Sequence, residues 1–296
     1  MKKKPKRTNV ILLLIFLAGL SLLLYPGISD YWNARHATQA IAGYTEKVAD
    51  LNGQTYAQMY RAAVAYNTAR AGGTVTAELS ESDHAQYESL LNVTDTGIMG
   101  YVEIEKLRVN LPIYHGTEES VLQVAAGHID WSSLPVGGES THCVLSGHRG
   151  LPSAKLFTDL DQLREGDTFS LHVLNEILTY QVDQIKIVNP DEVENLFIVD
   201  GEDYVTLLTC TPYGLNTHRL LVRGERIDST TKRTLHITSQ GYVIDPVIVT
   251  PVVAVPMLFA FLAYSWTKSI LAPKKRKRQI TLEDIQQMKK ETGDKR

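Results

Sequence analysis

Asp203-Tyr204-Val205-Thr206-Leu207-Leu208-Thr209-Cys210 is an apolar, β-branched run that ends on a thiol and passes at once into Thr211-Pro212-Tyr213-Gly214. Such a run reads as a strand, and the proline and glycine that follow read as a turn. The same texture recurs on both sides, at residues 101–104, 107–114, 141–145, 168–173 and 178–188, and again in Leu220-Leu221-Val222. Turns separate them at Pro135-Val136-Gly137-Gly138, Glu165-Gly166-Asp167 and Asn189-Pro190-Asp191. Closely spaced strands without long helices between them predict an antiparallel barrel or sandwich.

Upstream the period changes. Residues 31–71 are alanine-rich, with Ile41, Tyr44, Val48 and Leu51, then Tyr56, Met59, Tyr60, Ala63 and Val64, at helical spacing. A break is expected at Asn52-Gly53 and an end at Gly72-Gly73. A polar connector follows over 74–86, then a short helical stretch around 87–91.

Two uncharged runs lie outside these regions: 10–25, bounded by Pro26-Gly27, and 247–266. Roughly 20 apolar residues cross a hydrocarbon core, so the second run reads as a membrane span and the first as a short anchor. Residues alone leave a cleaved signal peptide open for the first and a buried helix for the second. Basic residues flank both, Lys2, Lys3, Lys4, Lys6 and Arg7 at one end and Lys274-Lys275-Arg276-Lys277-Arg278 at the other. The positive-inside rule then predicts a two-span, multi-pass protein of the cell membrane, with cytoplasmic termini and an extracytoplasmic middle. The chain holds 30 Lys plus Arg and 33 Asp plus Glu. Setting aside the five basic residues of 1–7, and the nine basic and four acidic ones of 273–296, leaves 16 basic and 29 acidic, a net of −13. An acidic middle disfavours nucleic acid as a partner. With 2 Cys and 20 Gly, disulfide scaffolds and collagen are excluded as well.

Three residues on the strand-rich part carry chemistry. Cys210 sits where a strand gives way to a loop, although a buried structural cysteine is the usual fate of a free thiol. His148 ends Cys143-Val144-Leu145-Ser146-Gly147-His148, and histidine is the residue type that most often both gives and takes a proton in catalysis. Arg219 follows Cys210 by nine residues; if the intervening loop turns back into the next strand, its guanidinium returns beside the cysteine, where it can hold an oxyanion. Taken singly, a structural histidine and an exposed strand arginine remain open. A Cys143–Cys210 disulfide, or a metal site of Cys143, Cys210, His142 and His148, lacks tight spacing and is not expected. Neither metal nor cofactor is anticipated.

Thr206-Leu207-Leu208-Thr209-Cys210 resembles the T-L-x-T-C signature of sortases, the cysteine transpeptidases of Gram-positive cell surfaces. The histidine 62 residues upstream, in Ser146-Gly147-His148-Arg149-Gly150, and Arg219 complete the family's order. The resemblance extends over residues 92–227 and includes Gly100-Tyr101-Val102-Glu103-Ile104, Leu111-Pro112-Ile113-Tyr114-His115-Gly116-Thr117, Ser133-Leu134-Pro135-Val136-Gly137-Gly138 and Leu156-Phe157-Thr158-Asp159-Leu160. With the helical extension and the second apolar run, it looks like class C, the pilus-assembling sortases. The resemblance implies a mainly β, sortase-like closed barrel at 97–230. Around it the expected segments are a basic start (1–9), an anchor (10–28), a helical, lid-like extension (29–96), a linker (231–246), a span (247–268) and a basic tail (269–296).

It further implies that Cys210 attacks an LPXTG-like sorting signal, Arg219 steadies substrate or oxyanion, and His148 shuttles protons. A thioacyl intermediate then passes to an amine, a pilin lysine in pilus polymerisation. Its partners would be pilin or surface-protein substrates, the acceptor amine and the membrane. A housekeeping sortase anchoring proteins to peptidoglycan is the alternative, and a membrane-anchored adhesion or scaffold domain the non-enzymatic one. The sequence departs from class C in one place: Ala77-Glu78-Leu79 stands where an Asp-Pro-aromatic lid motif is expected.

Overall fold

The computed structural model describes residues 7–71 and 79–227, all within one compact unit, Met1–Gly241. Helix α1 runs from Arg7–Ala49, α2 from Gly53–Ala71 and α3 from Glu81–Ser89. Eight strands follow: β1 (Ile98–Ile104), β2 (Val109–His115), β3 (Ala126–His128), β4 (Thr141–Ser146), β5 (Thr168–Val173), β6 (Glu176–Val188), β7 (Asp203–Thr211) and β8 (His218–Ile227). A four-residue helix, α4 (Glu119–Leu122), precedes β3. The strands close into a barrel in the order β1-β2-β3-β4-β7-β8-β6-β5.

The barrel is not wholly antiparallel, as the short loops had suggested. β2 pairs with β3, and β4 with β7, in parallel. The parallel β4–β7 contact is made possible by the long excursion through β5 and β6 between them, which a hairpin connection would not allow. The interior is filled by Val102, Ile104, Ile113, Leu145, Leu171, Tyr180, Val205, Leu207 and Val222, each almost fully buried.

The helices dock on this wall through specific polar contacts. Tyr44 donates its hydroxyl to the Met99 carbonyl (3.0 Å) and accepts from the Leu174 amide (2.7 Å). Buried Asn67 of α2 grips Leu134 with both ends of its amide, at 3.0 and 2.7 Å. On α1, Asp30 accepts from the Lys155 amide (2.7 Å) and Asn33 donates to the Ser153 carbonyl (2.8 Å), holding the loop that follows His148. The break at Asn52-Gly53 is a cap, with Asn52 Oδ1 accepting from the Thr55 amide (2.8 Å). The third helix starts earlier than expected, because Ser80 caps it by accepting from the Asp83 amide.

The expected pair of flanking spans, and with it the multi-pass topology, requires correction. Among the described residues one helix is long and apolar enough to cross a membrane, Leu14–Ala49 within α1, and none of its most apolar window is buried. It is not a free-standing anchor ending at Pro26-Gly27. Pro26 lies inside a continuous helix of 43 residues, which tolerates the loss of one backbone bond and continues into the Ala37, Ile41, Tyr44 and Val48 face that packs on the barrel. The run at 247–266, the linker at 231–246 and the basic tail lie outside the described residues, as do residues 1–6.

Candidate active site

Side chains alternate across the β7 strand. Val205, Leu207 and Thr209 point into the barrel, while Tyr204, Thr206, Leu208 and Cys210 point outward. Across the β7–β8 ladder Cys210 faces Arg219, Leu208 faces Leu221 and Thr206 faces Arg223. Across the parallel ladder Val144 is level with Thr206 and Ser146 with Leu208, a constant offset of 62 residues. Gly147 extends that ladder beyond β4: its N–H donates to the Leu208 carbonyl (3.0 Å), and its carbonyl accepts from Thr209 Oγ1 (2.7 Å). His148, two residues past the last ladder pair, therefore falls in the row of Cys210. The 62-residue interval between histidine and cysteine is thus the register offset itself, and β4, β7 and β8 bring His148, Cys210 and Arg219 to one end of one outer face.

The local backbone holds the histidine in place. The Phe157 amide donates to the His148 carbonyl (3.1 Å). Gly147 is required beside it, because a Cβ there would stand 2.6 Å from the Phe157 ring. The His148 ring is partly exposed and its Nε2–H donates to Glu119 Oε2 (3.3 Å). Glu119 also accepts from Gln123 Nε2 (3.1 Å); these two donors, Gln123 first, hold its carboxyl below the usual range. The Arg219 guanidinium lies on its own turn, donating to the carbonyls of His218 (3.2 Å) and Asn216 (3.4 Å). Both groups are engaged by weak, displaceable partners rather than by Cys210.

Cys210 is half-buried and Cys143 buried, and both are free. Cys143 is level with Val205, on the inward face. Five residues along a strand place it about 16 Å from the Cys210 row, far beyond the roughly 7 Å limit between bridged Cα atoms. Burial pushes the Cys143 thiol well up from its ordinary value, so it remains a thiol. The outer face below Cys210 is apolar: Val144, Val188, Leu196 and Leu221 cluster with Leu208, Ile129 and Trp131 packed against them.

His142 lies farther along the same face. Its Nδ1–H donates to the Phe197 carbonyl (2.9 Å) and its Nε2 accepts from Thr206 Oγ1 (2.7 Å), tying the segment between β6 and β7 to the strand. Burial lowers its pKa to about 4. Two histidines away from this face, His128 and His115, are held by structural bonds. His128 is fully buried between Tyr87 (2.9 Å) and the Ser133 carbonyl (2.8 Å), with its pKa pushed down to about 3 by desolvation. His115 bonds the carbonyls of Gly97 and Leu90.

Two neighbours of the row were not singled out in the sequence. Glu119 carried no signal, being one of two adjacent glutamates in a polar turn. Arg149 did: it stands 62 residues before Thr211, and its Nη1 donates to Thr211 Oγ1 (3.3 Å). The lid position falls largely outside the described residues; of it only Leu79 is described, packed against the core. Among the described residues no cluster of three or more His, Cys, Asp or Glu is arranged to hold a metal ion.

The Sortase domain family matches residues 102–227. Among solved structures, sortase C1 from Streptococcus agalactiae is 49% identical, superposes with a TM-score of 0.63, and is covered over 98% of its length by 64% of this chain. Sortase C of Clostridium perfringens, solved with the C-terminal cell wall sorting motif, is 46% identical at a TM-score of 0.58, covering 65% of this chain and 100% of that one. Among curated proteins, sortase D of Bacillus subtilis is 29% identical over 192 residues, which are 63% of this chain and 92% of that protein. A closed eight-strand barrel with helices at its N-terminal side, matched at this identity along nearly the whole of those chains, leaves one family: the chain belongs to the sortases, cysteine transpeptidases, and within them to class C, the pilus-assembling type.

Proposed function

We propose that residues 97–230 form the catalytic domain, and that it joins pilin subunits by transpeptidation through Cys210, His148 and Arg219. The observation that supports this reading is the register: Arg219 pairs with Cys210 across β7–β8, and the β4–β7 ladder ends at Ser146–Leu208, two residues before both His148 and Cys210. The Cys210 thiolate attacks the Thr–Gly carbonyl of an LPXTG-like sorting signal, forming the C–S bond and moving the carbonyl electrons onto oxygen. Arg219 swings from the carbonyls of its own turn to that oxyanion, an acceptor of higher charge. Collapse breaks the C–N bond, and the leaving amine takes a proton from His148. A lysine amine of the next pilin then attacks the thioacyl carbon, gives its proton to His148 and expels the thiolate, leaving an isopeptide bond.

Incubating the protein with a pilin carrying its sorting signal, in competition with a cell-wall peptide amine, tests the reading. Covalent pilin polymers with a threonine–lysine linkage by mass spectrometry are expected, lost in Cys210→Ala. Polymers formed by Cys210→Ala would refute the nucleophile, and exclusive transfer to the cell-wall amine would refute the lysine acceptor.

A further inference from the structure

The row next to Cys210 and His148 holds a second guanidinium. Arg149 and Thr211 are the immediate successors of the two residues, and they carry the same offset of 62. The Arg149 side chain is 9% exposed and spans three segments. Its Nη1 donates to Thr211 Oγ1 at the end of β7 (3.3 Å), its Nη2 pairs with Asp161 in the short 3-10 turn Leu160–Gln162, and its guanidinium lies 6.0 Å from the Tyr213 ring centroid. Its Nε is buried without a partner. Gly150 makes room for this arrangement: at φ +76 it takes a left-handed turn, and a Cβ there would meet the Tyr213 ring at 3.0 Å. A chain that buries an arginine and leaves one of its donors unpaired forgoes free energy that an apolar residue would retain.

Position gives the reason. β4 has ended at Ser146, and the last backbone bond between the two strands runs from the Gly147 N–H to the Leu208 carbonyl, backed by the Thr209 hydroxyl on the Gly147 carbonyl. Beyond that point no backbone bond among the described residues ties the His148 segment to the Cys210 segment, and the Arg149 side chain bridges them one residue on. On β7, alternation turns Thr211 to the face opposite Cys210, so the bridge is anchored on a buried residue and not on the thiol's own face.

We propose that Arg149 is a positioning residue, whose clamp on Thr211 and Asp161 sets the distance between His148 and Cys210. The inference rests on the roles proposed above for those two. Misplacing reacting groups by about 1 Å costs up to about 100-fold in rate, without loss of substrate contacts.

Acylation by a sorting-signal peptide, followed in single turnovers by quench and mass spectrometry, tests it alongside thermal unfolding. Arg149→Ala is expected to lower kcat by about 10- to 100-fold, with KM within twofold and a cooperative unfolding transition. Added free guanidinium should restore part of the loss, and Arg149→Lys, which reaches only one of the two partners, should fall between. If Arg149→Ala does not fold, Thr211→Val carries the test, since it removes only the acceptor on β7; a fall in kcat of at least about threefold at constant KM is expected. Unchanged kcat in a folded variant, a change in KM alone, or a rate loss that guanidinium leaves untouched and that only tracks the unfolded fraction would overturn the proposal. Cys210→Ala and His148→Ala, run in parallel, separate its failure from that of the underlying reading: if they remain active, the roles of the row are wrong and Arg149 has nothing to position.

Discussion

His142 and His148 stand on one outer face of the barrel, within one strand and its extension, yet they live in opposite environments. His142 is buried and both its ring nitrogens are bonded, to Phe197 and Thr206. His148 is partly exposed, with one bond to a glutamate that is itself 68% exposed. A saturated imidazole is a fixture, and exchanging its proton would strand a buried donor or acceptor. An imidazole with one weak partner can exchange its proton and turn toward a substrate. The difference follows from what covers each end of the face: the segment between β6 and β7 lies over His142 through the Phe197 carbonyl, while His148 lies past the end of β4.

The contrast is sharpest for activity. His148→Ala should lower transpeptidation by about 10²- to 10⁴-fold, the ordinary worth of a positioned general acid and base, while the unfolding midpoint stays close to wild type. Should the midpoint fall substantially instead, the two histidines are not different in kind. His142→Ala should do the reverse, costing about 1–3 kcal/mol through the buried groups it leaves unpaired, read by denaturant unfolding.

Acid gives a second way to break the comparison. His142 and His128 have folded pKa values lowered to about 4 and about 3, both through burial. Between those values and the unfolded reference near 6.5 the unfolded chain binds more protons, so stability rises with pH there. It is present in full above about pH 6.5 and is lost progressively as pH falls toward 4 and then 3. Unfolding midpoints measured from pH 7 to pH 4 should decline, and His142→Asn should flatten part of that decline. A midpoint that rises on acidification would contradict the buried, neutral assignment.

Smaller effects test how His148 is held. Gly147→Ala forces the Phe157 ring away from residue 147, straining the bond from the Phe157 amide to the His148 carbonyl, and should cost about 1–3 kcal/mol, with a rate loss larger than in substitutions on β4. Glu119→Gln should be the mildest change, about threefold or less in rate and diminishing with added salt, since exposed charge pairs are weak and screened. A larger effect that persists in high salt would make Glu119 a fixed member of the site.

Much of this was legible in the residues. β-branched runs located most of the strands because those residues fit a pleated, half-buried surface. The thiol at the end of 203–210 and the returning arginine at 219 could be read from the turn between them. β3 escaped because three residues, Ala126, Gly127 and His128, are too few to display alternation. The parallel pairings escaped because a parallel partner is fixed by contacts far away in sequence, and loop lengths do not report them. α1 was divided at Pro26 because proline ordinarily marks a boundary, whereas packing of its later turns on the barrel carries this helix through. Glu119 reaches His148 only through the fold of α4 against β3, and no local pattern encodes that.

The parallel pairing of β4 with β7 also bears on engineering. Placement of His148 beside Cys210 depends on ladder bonds at the ends of two adjacent strands, not on the length of chain between them. Residues 189–202, and the loop at 149–167 away from Arg149, Phe157 and Asp161, are detours whose two ends are pinned. A graft that lengthens either would change the interval of 62 in the sequence and leave the row intact. A longer loop in the 189–202 detour is therefore expected to leave the pairing of Ser146 with Leu208 and of Cys210 with Arg219 unchanged.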